Sequence, residues 1–318
     1  MASLSINQQV GYAAPASVEE AISLINQDPL TQVLAGGHSL LAAIKQDKIR
    51  PSLLVDISRI SGLEAIEWSQ NDTAVSLKVG AMASYAQIAE DNQIQAIYPA
   101  LAAAAAAIGD VQIRNWGRIG DVFAYRYLAG DLLAAALALE AVFVVQTSAG
   151  SQRQAAAALV SDLSISDLSA PNSADSAERF LITGIEFPSP QLSTSAYTFF
   201  KHAASGHTLC GAAVALETSH SGTVEHCRIA LSGSAVPAMR LSALETSLVG
   251  SLLTTEVLSA MTMQVNDLVL AMLESNDGSE GAIAFDIAFE SVSADYVAYL
   301  SGVMVTRALE TALRATSA

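Results

Sequence analysis

The order of strand-like and helix-like segments restricts the fold of this chain more than any other feature. Up to Pro188, short apolar runs typical of buried strands alternate with patterns of helical period. Beyond Pro190, three strand-like runs come in succession and helices follow them. Strands grouped before helices are typical of an α+β layer domain. We therefore expect an α+β protein of two domains, residues 1–189 and 190–318.

The first domain begins with the clearest helix signal. Ser17 and Glu20 have the spacing of a capping box, and apolar residues recur after them at helical period. The patterns that follow predict strands at 32–35, 53–57, 74–79, 141–145 and 180–187, and helices at 84–90, 97–108 and 132–139. The glycine-containing segment 113–120 and the polar stretch 161–176 are predicted to be loops.

The second domain is predicted to be a small antiparallel sheet covered by helices. Strand patterns at 196–202, 209–217 and 224–231 form a meander, since His220-Ser221-Gly222 is a turn between the last two. Helical patterns follow at 242–249 and 254–273, and Ser293 begins a final helix. A three-stranded sheet with helices is the expected architecture.

Composition excludes several classes of function. The 318 residues include 15 Lys and Arg against 31 Asp and Glu, which gives a net charge of −16. Proteins that bind nucleic acids need clustered cationic side chains, so nucleic acid is not expected as a partner. With 52% hydrophobic and 14% charged residues, the chain has the material for a large globular core.

Membrane insertion and secretion are not expected either. The best apolar run, 132–145, has 14 residues and contains Glu140, whereas a spanning helix needs ~20. The first residues lack the basic and apolar regions of a secretory signal, so a cytoplasmic location is expected. Two cysteines, Cys210 and Cys227, are too few for an iron–sulfur cluster or a disulfide framework, so no metal is expected on this chain.

One short predicted strand runs directly into Gly36-Gly37-His38-Ser39. Glycine allows a positive φ and a close approach to the backbone, and successive N–H groups form a nest that binds anions. Phosphate is the natural ligand of such a loop, although a tight turn without a ligand has the same pair of glycines. The chain lacks G-x-G-x-x-G and G-x-x-x-x-G-K-[ST], so neither a Rossmann site nor a Walker site is indicated.

Three groups of motifs are spread along the chain. The N-terminal motifs are 33–41 (VLAGGHSLL), Arg50-Pro51 and 54–57 (LVDI). The middle motifs are 112–115 (QIRN) with Gly117-x-Ile119-Gly120, and the segment 131–141. The C-terminal motifs are 227–233 (CRIALSG), Pro237-x-x-Arg240 and 293–303. Together they resemble the FAD-binding medium subunits of the molybdenum hydroxylases, which include xanthine dehydrogenase and carbon monoxide dehydrogenase. The middle motifs are similar to the second flavin loop of that family and the segment after it.

This resemblance implies a fold, a cofactor and partners. It implies an FAD-binding domain of two α/β lobes, of the molybdopterin dehydrogenase type, and then a C-terminal domain of the carbon monoxide dehydrogenase flavoprotein type. It also implies FAD between two glycine loops, which would relay electrons from molybdenum and iron–sulfur subunits to an acceptor. The cofactor-binding residues that it indicates are Ala35, Gly36, Gly37, His38, Ser39, Leu40, Gly117, Arg118, Ile119, Gly120, Asp131 and Lys201.

The second loop departs from the family pattern. Where the family has Thr-Ile-Gly-Gly-Asn, this chain has Arg118-Ile119-Gly120-Asp121-Val122. Arg126-Tyr127-Leu128 replaces the usual Ala-Asp-Pro, and His207 replaces an Asp after Gly206. A carboxylate ~5 Å from one phosphate charge costs roughly 3 kcal/mol at an effective dielectric near 20. Arg118 offsets a similar amount if its guanidinium reaches the same phosphates.

These departures leave two other functions open. The former flavin cleft of a stand-alone protein would take another small apolar molecule, in a redox-neutral cyclase or isomerase or in a binding module. Asp121, Tyr127 and His207 are then the acid–base candidates. A third interpretation is an assembly subunit that only docks partners. Trp116, Tyr125 and Tyr127 either line a flat ligand or pack, and His202, His207 and Cys210 lack a fourth ligand for a metal.

Overall fold

The computed structural model describes residues 10–71, 74–123, 130–162, 179–190, 192–203, 205–275 and 292–316. The first lobe is a parallel three-stranded sheet of order β1-β3-β2. Its elements are β1 (Gly11–Ala13), α1 (Val18–Ile25), β2 (Gln32–Leu34), α2 (His38–Lys45) and β3 (Leu53–Asp56). Because β2 and β3 are parallel, their carboxyl ends meet at the edge where the Gly36-Gly37 turn begins.

Helix α1 begins as the sequence predicts, but half of its expected cap is different. The Oγ of Ser17 accepts a hydrogen bond from the N–H of Glu20 at 3.2 Å. The carboxylate of Glu20 accepts from the N–H of Ala16 at 3.0 Å, and not from that of Ser17 as a capping box requires. The helix then buries Ala21, Ile22 and Ile25 in the core of this lobe.

A buried arginine from a distant part of the chain holds the turn after α1. Arg179 donates from Nη1 to the carbonyl oxygens of Ile25 at 2.5 Å and Asp28 at 2.7 Å, and from Nη2 to that of Thr31 at 2.5 Å. Carbonyls at a helix end have no partner within the helix. The Arg179 side chain therefore caps the C-terminal end of α1 and binds the backbone of the segment that leads to β2.

Replacing Arg179 with Met is expected to lower the free energy of unfolding by about 3 kcal/mol, because three carbonyl groups lose a charged donor. Urea denaturation measures the change. Arg153→Met is the matched control, because the Arg153 side chain is 66% exposed in its ion pair with Glu186, and such pairs contribute about 0–1 kcal/mol. Equal losses in the two variants would contradict this assignment.

The second lobe is an antiparallel sheet of order β4-β5-β8-β6-β7. The strands are β4 (Ile66–Asn71), β5 (Ala74–Gly80), β6 (Val142–Thr147), β7 (Gly150–Ala155) and β8 (Leu181–Phe187). The helices are α3 (Tyr85–Glu90), α4 (Asn92–Ile97), α5 (Pro99–Ala107), α6 (Val111–Trp116), α7 (Asp131–Ala138) and α8 (Ala156–Asp162). Most of the predicted polar loop at 161–176 lies outside the described residues.

The C-terminal sheet has four strands, not the predicted three, in the order β12-β11-β10-β9. The strands are β9 (Thr194–Lys201), β10 (Thr208–Thr218), β11 (Val224–Ser232) and β12 (Met239–Arg240), and the helices are α9 (Ser242–Leu248), α10 (Thr255–Ser275) and α11 (Ala294–Thr316). The fourth strand has only two residues, which pair with Ala230 and Leu231. So short a strand has no periodicity, so the sequence could not reveal it.

Two alanine-rich helices pack against the C-terminal sheet. Helix α7 is buried at all eight positions, and α5 is buried at Ala100, Leu101, Ala102, Ala104, Ala105 and Ala107. Small side chains let α5 lie against β9, and α7 against β10 and β11. The other face of the sheet is covered by α11, which packs along α10. The core of the first domain therefore continues into the second.

Helix α7 ends on a left-handed residue that is not glycine. Glu140 has a φ of +53°, and the N–H of Ala141 donates to the carbonyl of Ala136 at 2.8 Å, as in a Schellman ending. The Glu140 carboxylate lies 2.7 Å from Nη2 of Arg228 and 3.8 Å from Nη1 of Arg240, both on the C-terminal sheet. These ion pairs tie the end of α7 to that sheet.

Helix α10 has the length and composition to cross a membrane over residues 255–274, with a mean hydropathy of 1.2. One such helix is weak support for a membrane, because a helix of a protein core passes the same test. Met261, Val265 and Val269 of α10 are buried in the core that it shares with α11, whereas Glu256 and Asp267 are exposed. The helix is amphipathic, as is usual at the surface of a globular domain.

Candidate functional site

The first glycine loop ends in a helix whose N-terminal amides are free. Gly37 has a φ of +76° and starts α2, and no side chain caps this end of the helix. The carbonyl of Gly37 accepts the first helical hydrogen bond, from the N–H of Leu41 at 2.9 Å. Within the described residues, the N–H groups of His38, Ser39 and Leu40 donate to no acceptor. Three aligned donors at a helix N-terminus are a binding site for an anion.

The second loop lies directly against the first. A Cβ placed on Gly36 would lie 2.3 Å from the carbonyl oxygen of Trp116 and 3.3 Å from the Cα of Gly117. Only glycine at position 36 allows the two backbones to come this close. The loops that the sequence indicates are thus brought together, and the absence of a side chain at Gly36 serves their contact with each other.

The second loop is not the loop predicted for 113–120. Residues 111–116 form helix α6, whose N-terminus is capped by the carboxylate of Asp110 at 2.8 Å from the N–H of Ile113, and a 3-10 turn, Ile119–Phe123, follows. The sequence analysis missed the helix because a cap and six residues give less than two turns of periodic pattern. Only 117 and 118 remain between these two elements.

The backbone amides of the second loop are already used within the protein. The N–H of Gly117 donates to Ile113 at 2.7 Å, and those of Ile119 and Gly120 donate to the carbonyls of Ala83 at 3.0 Å and Ala81 at 2.9 Å. The remaining hydrogen bonds join Asp121 and Arg118: the N–H of Asp121 donates to the Arg118 carbonyl at 2.9 Å, and the N–H of Arg118 donates to the Asp121 carboxylate at 3.4 Å. The second loop therefore offers no backbone nest to a ligand.

The glycines of this loop make room for other parts of the chain. A Cβ on Gly117 would lie 2.4 Å from the ring of Tyr85, and one on Gly120 would lie 2.8 Å from the Cβ of Ala81. Gly117 and Gly120 thus have a packing function, whether or not a ligand is close.

The side chain of Arg118 carries a buried donor that has no acceptor among the described residues. Its Nη1 donates to the carbonyl of Met82 at 3.2 Å, which fixes the guanidinium in place. Its Nε is buried and unpaired. A buried N–H without an acceptor is costly, so this group is a reason to expect an anion nearby.

Asp121 is the acidic residue of the site. Burial is the largest effect on it and raises its pKa to about 6, against the lowering effects of the Arg118 amide, the Arg118 charge and the His38 imidazole. The carboxylate therefore interacts electrostatically with one residue of each loop, His38 and Arg118. His38 and Ser39 are exposed, while Gly37 and Leu40 are buried and Ala35 is partly buried.

Asp131 and Lys201 lie at the junction of the two domains. Asp131 is buried at the start of α7 and accepts a hydrogen bond from the hydroxyl of Tyr197 on β9. Burial raises the pKa of Asp131, and the charge of Lys201 is one of the effects that oppose the rise. Lys201 lies 5.5 Å from the centre of the Phe199 ring and 3.5 Å from the carbonyl of Gly109. The sequence analysis did not find Tyr197.

Gly211 is the sequence feature from which the position of Tyr197 could have been inferred. A Cβ on Gly211 would lie 2.0 Å from the hydroxyl oxygen of Tyr197. Gly211 stands inside the apolar run of β10, where a glycine marks the close approach of another group. The diagonal position of Tyr197 on the neighbouring strand identifies that group.

Of the three acid–base candidates, the structure describes Asp121 and His207. His207 is exposed in the turn between β9 and β10, where its N–H lies 3.3 Å from the hydroxyl of Ser205. Tyr127 lies outside the described residues, as does Tyr125. No hydrogen bond or ion pair joins Asp121 to His207 in the part of the chain that the structure describes. Trp116 is 62% exposed beside the loops.

Other candidate sites are weak. Within the described ranges, no group of three potential metal ligands is found. A cavity of about 20 Å³, enough for one water molecule, lies at the domain junction. Its lining includes Tyr98, Glu140, Pro188 and Arg228 but no residue of either glycine loop.

Comparison with known proteins decides the family. Residues 7–190 match the family described as the FAD binding domain in molybdopterin dehydrogenase. The chain belongs to this family. Residues 195–279 match the CO dehydrogenase flavoprotein C-terminal domain. The resemblance seen in the sequence is confirmed, and the chain is homologous to the FAD-binding medium subunits of molybdenum hydroxylases.

Several relatives are similar over most of their length. The carbon monoxide dehydrogenase medium chain of Hydrogenophaga pseudoflava is 32% identical over 303 residues, which cover 95% of this chain and 96% of that one. The nicotine 6-hydroxylase medium subunit of Paenarthrobacter nicotinovorans is 30% identical, over 78% of this chain and 82% of that one. The solved carbon monoxide dehydrogenase from Hydrogenophaga pseudoflava that lacks the Mo-pyranopterin moiety has a TM-score of 0.76 at 29% identity, with 96% and 98% coverage.

The residues present fit the diphosphate of FAD on the side of the first loop. Three unpaired amides, at His38, Ser39 and Leu40, supply the donors that phosphate oxygens need. The buried Nε of Arg118 supplies a cationic donor from the opposite loop. The backbone of the second loop supplies none, since each of its N–H groups from 117 to 121 already has an acceptor.

Proposed function

We propose that this chain binds FAD and relays electrons as the medium subunit of an oxidoreductase of the molybdenum hydroxylase type. The observation that carries the proposal is the free N-terminus of α2, which follows the Gly36-Gly37 turn in a chain that belongs to an FAD-binding family. Bound FAD accepts electrons and passes them on, and the protein supplies its position and its electrostatic surroundings.

Each site residue has a proposed part in holding the cofactor. The amides of His38, Ser39 and Leu40 bind the diphosphate, and Gly37 provides the left-handed turn that aims them. Ala35 and Gly36 bring the strand end and the second loop together. In that loop, Gly117, Ile119 and Gly120 fix the backbone, and the guanidinium of Arg118 adds a positive charge.

Asp131 and Lys201 are proposed to act at the junction of the two domains. Because Asp131 is hydrogen-bonded to Tyr197, it fixes the start of α7 against the C-terminal sheet. The ammonium group of Lys201 lies at the end of β9, close to the exposed ring of Phe199. We propose that the boundary between the domains, 1–189 and 190–318, falls between β8 and β9.

Partners and location follow from the same proposal. The relatives are named as medium chains and subunits of larger enzymes, so we propose molybdenum and iron–sulfur subunits as the partners of this chain. The two free cysteines, Cys210 and Cys227, are buried, and burial raises the pKa of each to about 12. They are unsuited to metal binding, so the metal centres are proposed on the partners. The proposed location is the cytoplasm.

The alternative of a redox-neutral cyclase, isomerase or binding module has no support from the comparisons. The relatives are dehydrogenase and hydroxylase subunits. Among the described residues, no hydrogen bond or ion pair joins His207 to Asp121. A subunit that only docks partners would differ from an electron-relay subunit in one property, the binding of FAD. A measurement of FAD binding therefore distinguishes the two.

The visible spectrum tests the proposed function. The full chain, purified and equilibrated with FAD, is expected to retain about one FAD after gel filtration, with the absorption band of bound flavin and the mass of released FAD. Riboflavin, which lacks the diphosphate, is the matched ligand control and is expected to be lost on the column. A colourless protein after reconstitution would overturn the proposal, and retention of riboflavin and FAD alike would contradict the diphosphate contact.

A further inference from the structure

Asp121 belongs to the loop that lies against the Gly36-Gly37 turn, from which the amides proposed to hold the diphosphate begin. It accepts a hydrogen bond from the N–H of Arg118 at 3.4 Å and interacts electrostatically with His38, the first residue of α2. The contact of Gly36 with the carbonyl of Trp116 keeps the two loops adjacent. An acid is thus held in the loop that adjoins the proposed anion site.

The charged and titratable groups around Asp121 come from four elements. Arg118 belongs to its own loop, His38 to α2 and Tyr85 to α3, and Asp131 on α7 interacts with Tyr85 from the other side. Burial raises the pKa of Tyr85 far above the physiological range, so its phenol stays neutral. Arg118 supplies a positive charge. Among the described residues, Asp121 and His38 are the other titratable side chains that interact at this point.

Ionised Asp121 repels a phosphate group, whereas the neutral acid does not and has an O–H to donate. The charge of Asp121 changes in the range where proteins work, because burial raises its pKa to about 6. The diphosphate of FAD keeps its negative charges through this range, so the protein alone sets any pH dependence between about pH 5 and 8.

We infer that Asp121 makes the affinity of this chain for FAD depend on pH, so that FAD binds more tightly in mild acid than above neutrality. The inference rests on the proposed FAD function and adds a regulatory property to the same site. Because tighter binding in acid requires proton uptake, binding near neutral pH takes up protons from the buffer. The same sign holds without ligand: the free energy of unfolding falls as pH rises from about 4 to about 6, since the folded state holds the proton more strongly.

The dissociation constant of FAD, measured by flavin fluorescence at several pH values between about 5 and 8, tests this inference. The unsubstituted chain is expected to bind FAD at least about tenfold more weakly at pH 8 than at pH 5. Asp121→Asn removes the charge with little change of shape, so its affinity is expected to be nearly constant over this range. Asp267→Asn, an exposed acid on α10, is the matched control and is expected to keep the pH dependence.

A His38→Gln variant separates the contribution of the His38 side chain from that of Asp121. If the pH dependence persists in Asp121→Asn and disappears in His38→Gln, the imidazole is responsible and the inference is overturned. A constant affinity in the unsubstituted chain overturns it as well. Calorimetry in two buffers of different ionisation enthalpy gives the second readout, and uptake of up to about one proton per FAD is expected. Absence of FAD binding at every pH, in the Asp121→Asn variant too, is instead a failure of the proposed function.

Discussion

Replacing Gly36 with Ala is expected to weaken FAD binding by more than tenfold while the chain remains folded. The added Cβ would lie 2.3 Å from the Trp116 carbonyl oxygen, a backbone atom that cannot rotate away. The two loops must separate, and overpacking of this kind costs about 1–3 kcal/mol. The shift also moves the amides of His38, Ser39 and Leu40, whose alignment is the basis of the site. Fluorescence titration with FAD measures the loss.

A second glycine provides the control for this prediction. A Cβ on Gly62 meets no described atom within 4 Å, although its φ of +87° makes alanine unfavourable there by about 1 kcal/mol. Gly62→Ala is therefore expected to lower stability slightly and to leave the FAD affinity unchanged. If Gly36→Ala binds FAD as Gly62→Ala does, the contact between the loops has no part in binding.

Replacing Gly211 with Ala is expected to cause the largest loss of stability, about 3–5 kcal/mol in the free energy of unfolding. The added Cβ would lie 2.0 Å from the hydroxyl oxygen of Tyr197 and 2.7 Å from its Cζ, so the ring must leave its place. Overpacking of this kind costs about 1–3 kcal/mol. Asp131 also loses its hydrogen bond from Tyr197, which adds about 1–3 kcal/mol. Urea denaturation measures the effect.

Tyr197→Phe separates the steric effect from the hydrogen bond. This variant removes the hydroxyl without adding an atom, so the free energy of unfolding is expected to fall by only about 1–3 kcal/mol. In the double variant, Gly211→Ala should cost less than it does alone, because the nearest clashing atom is absent. Additive losses in the double variant would show that Gly211 and Tyr197 do not interact as the geometry indicates.

The elements that local pattern defines could be predicted from the sequence. The strand before Gly36, the helix after Ser84 and the long final helix have periodicity or caps within a few residues, and each was placed within a few residues of its bounds. The first glycine loop could be singled out for the same reason. Its proposed function depends on the φ of Gly37 and on amides that have no acceptor among the described residues, and both are properties of one short segment.

The second loop could not be understood from sequence, because its properties depend on distant residues. Its amides donate to Ala81 and Ala83, which belong to another segment. Arg179 was missed because its three acceptors lie about 150 residues earlier in the chain, at separations of 148 to 154 residues. Strands β4 and β7 were missed because they are too polar to show a buried face.

The central claim is that the diphosphate binds to the free amides of α2. Amide-resolved hydrogen exchange with and without FAD tests this claim most directly. The N–H groups of His38, Ser39 and Leu40 are expected to exchange fast in the free protein and slowly with FAD or ADP, and to be unaffected by riboflavin. Those of Ile119 and Gly120 should be slow in every state. Unchanged exchange at 38–40 with FAD bound, or new protection at 117–121 instead, would contradict the account.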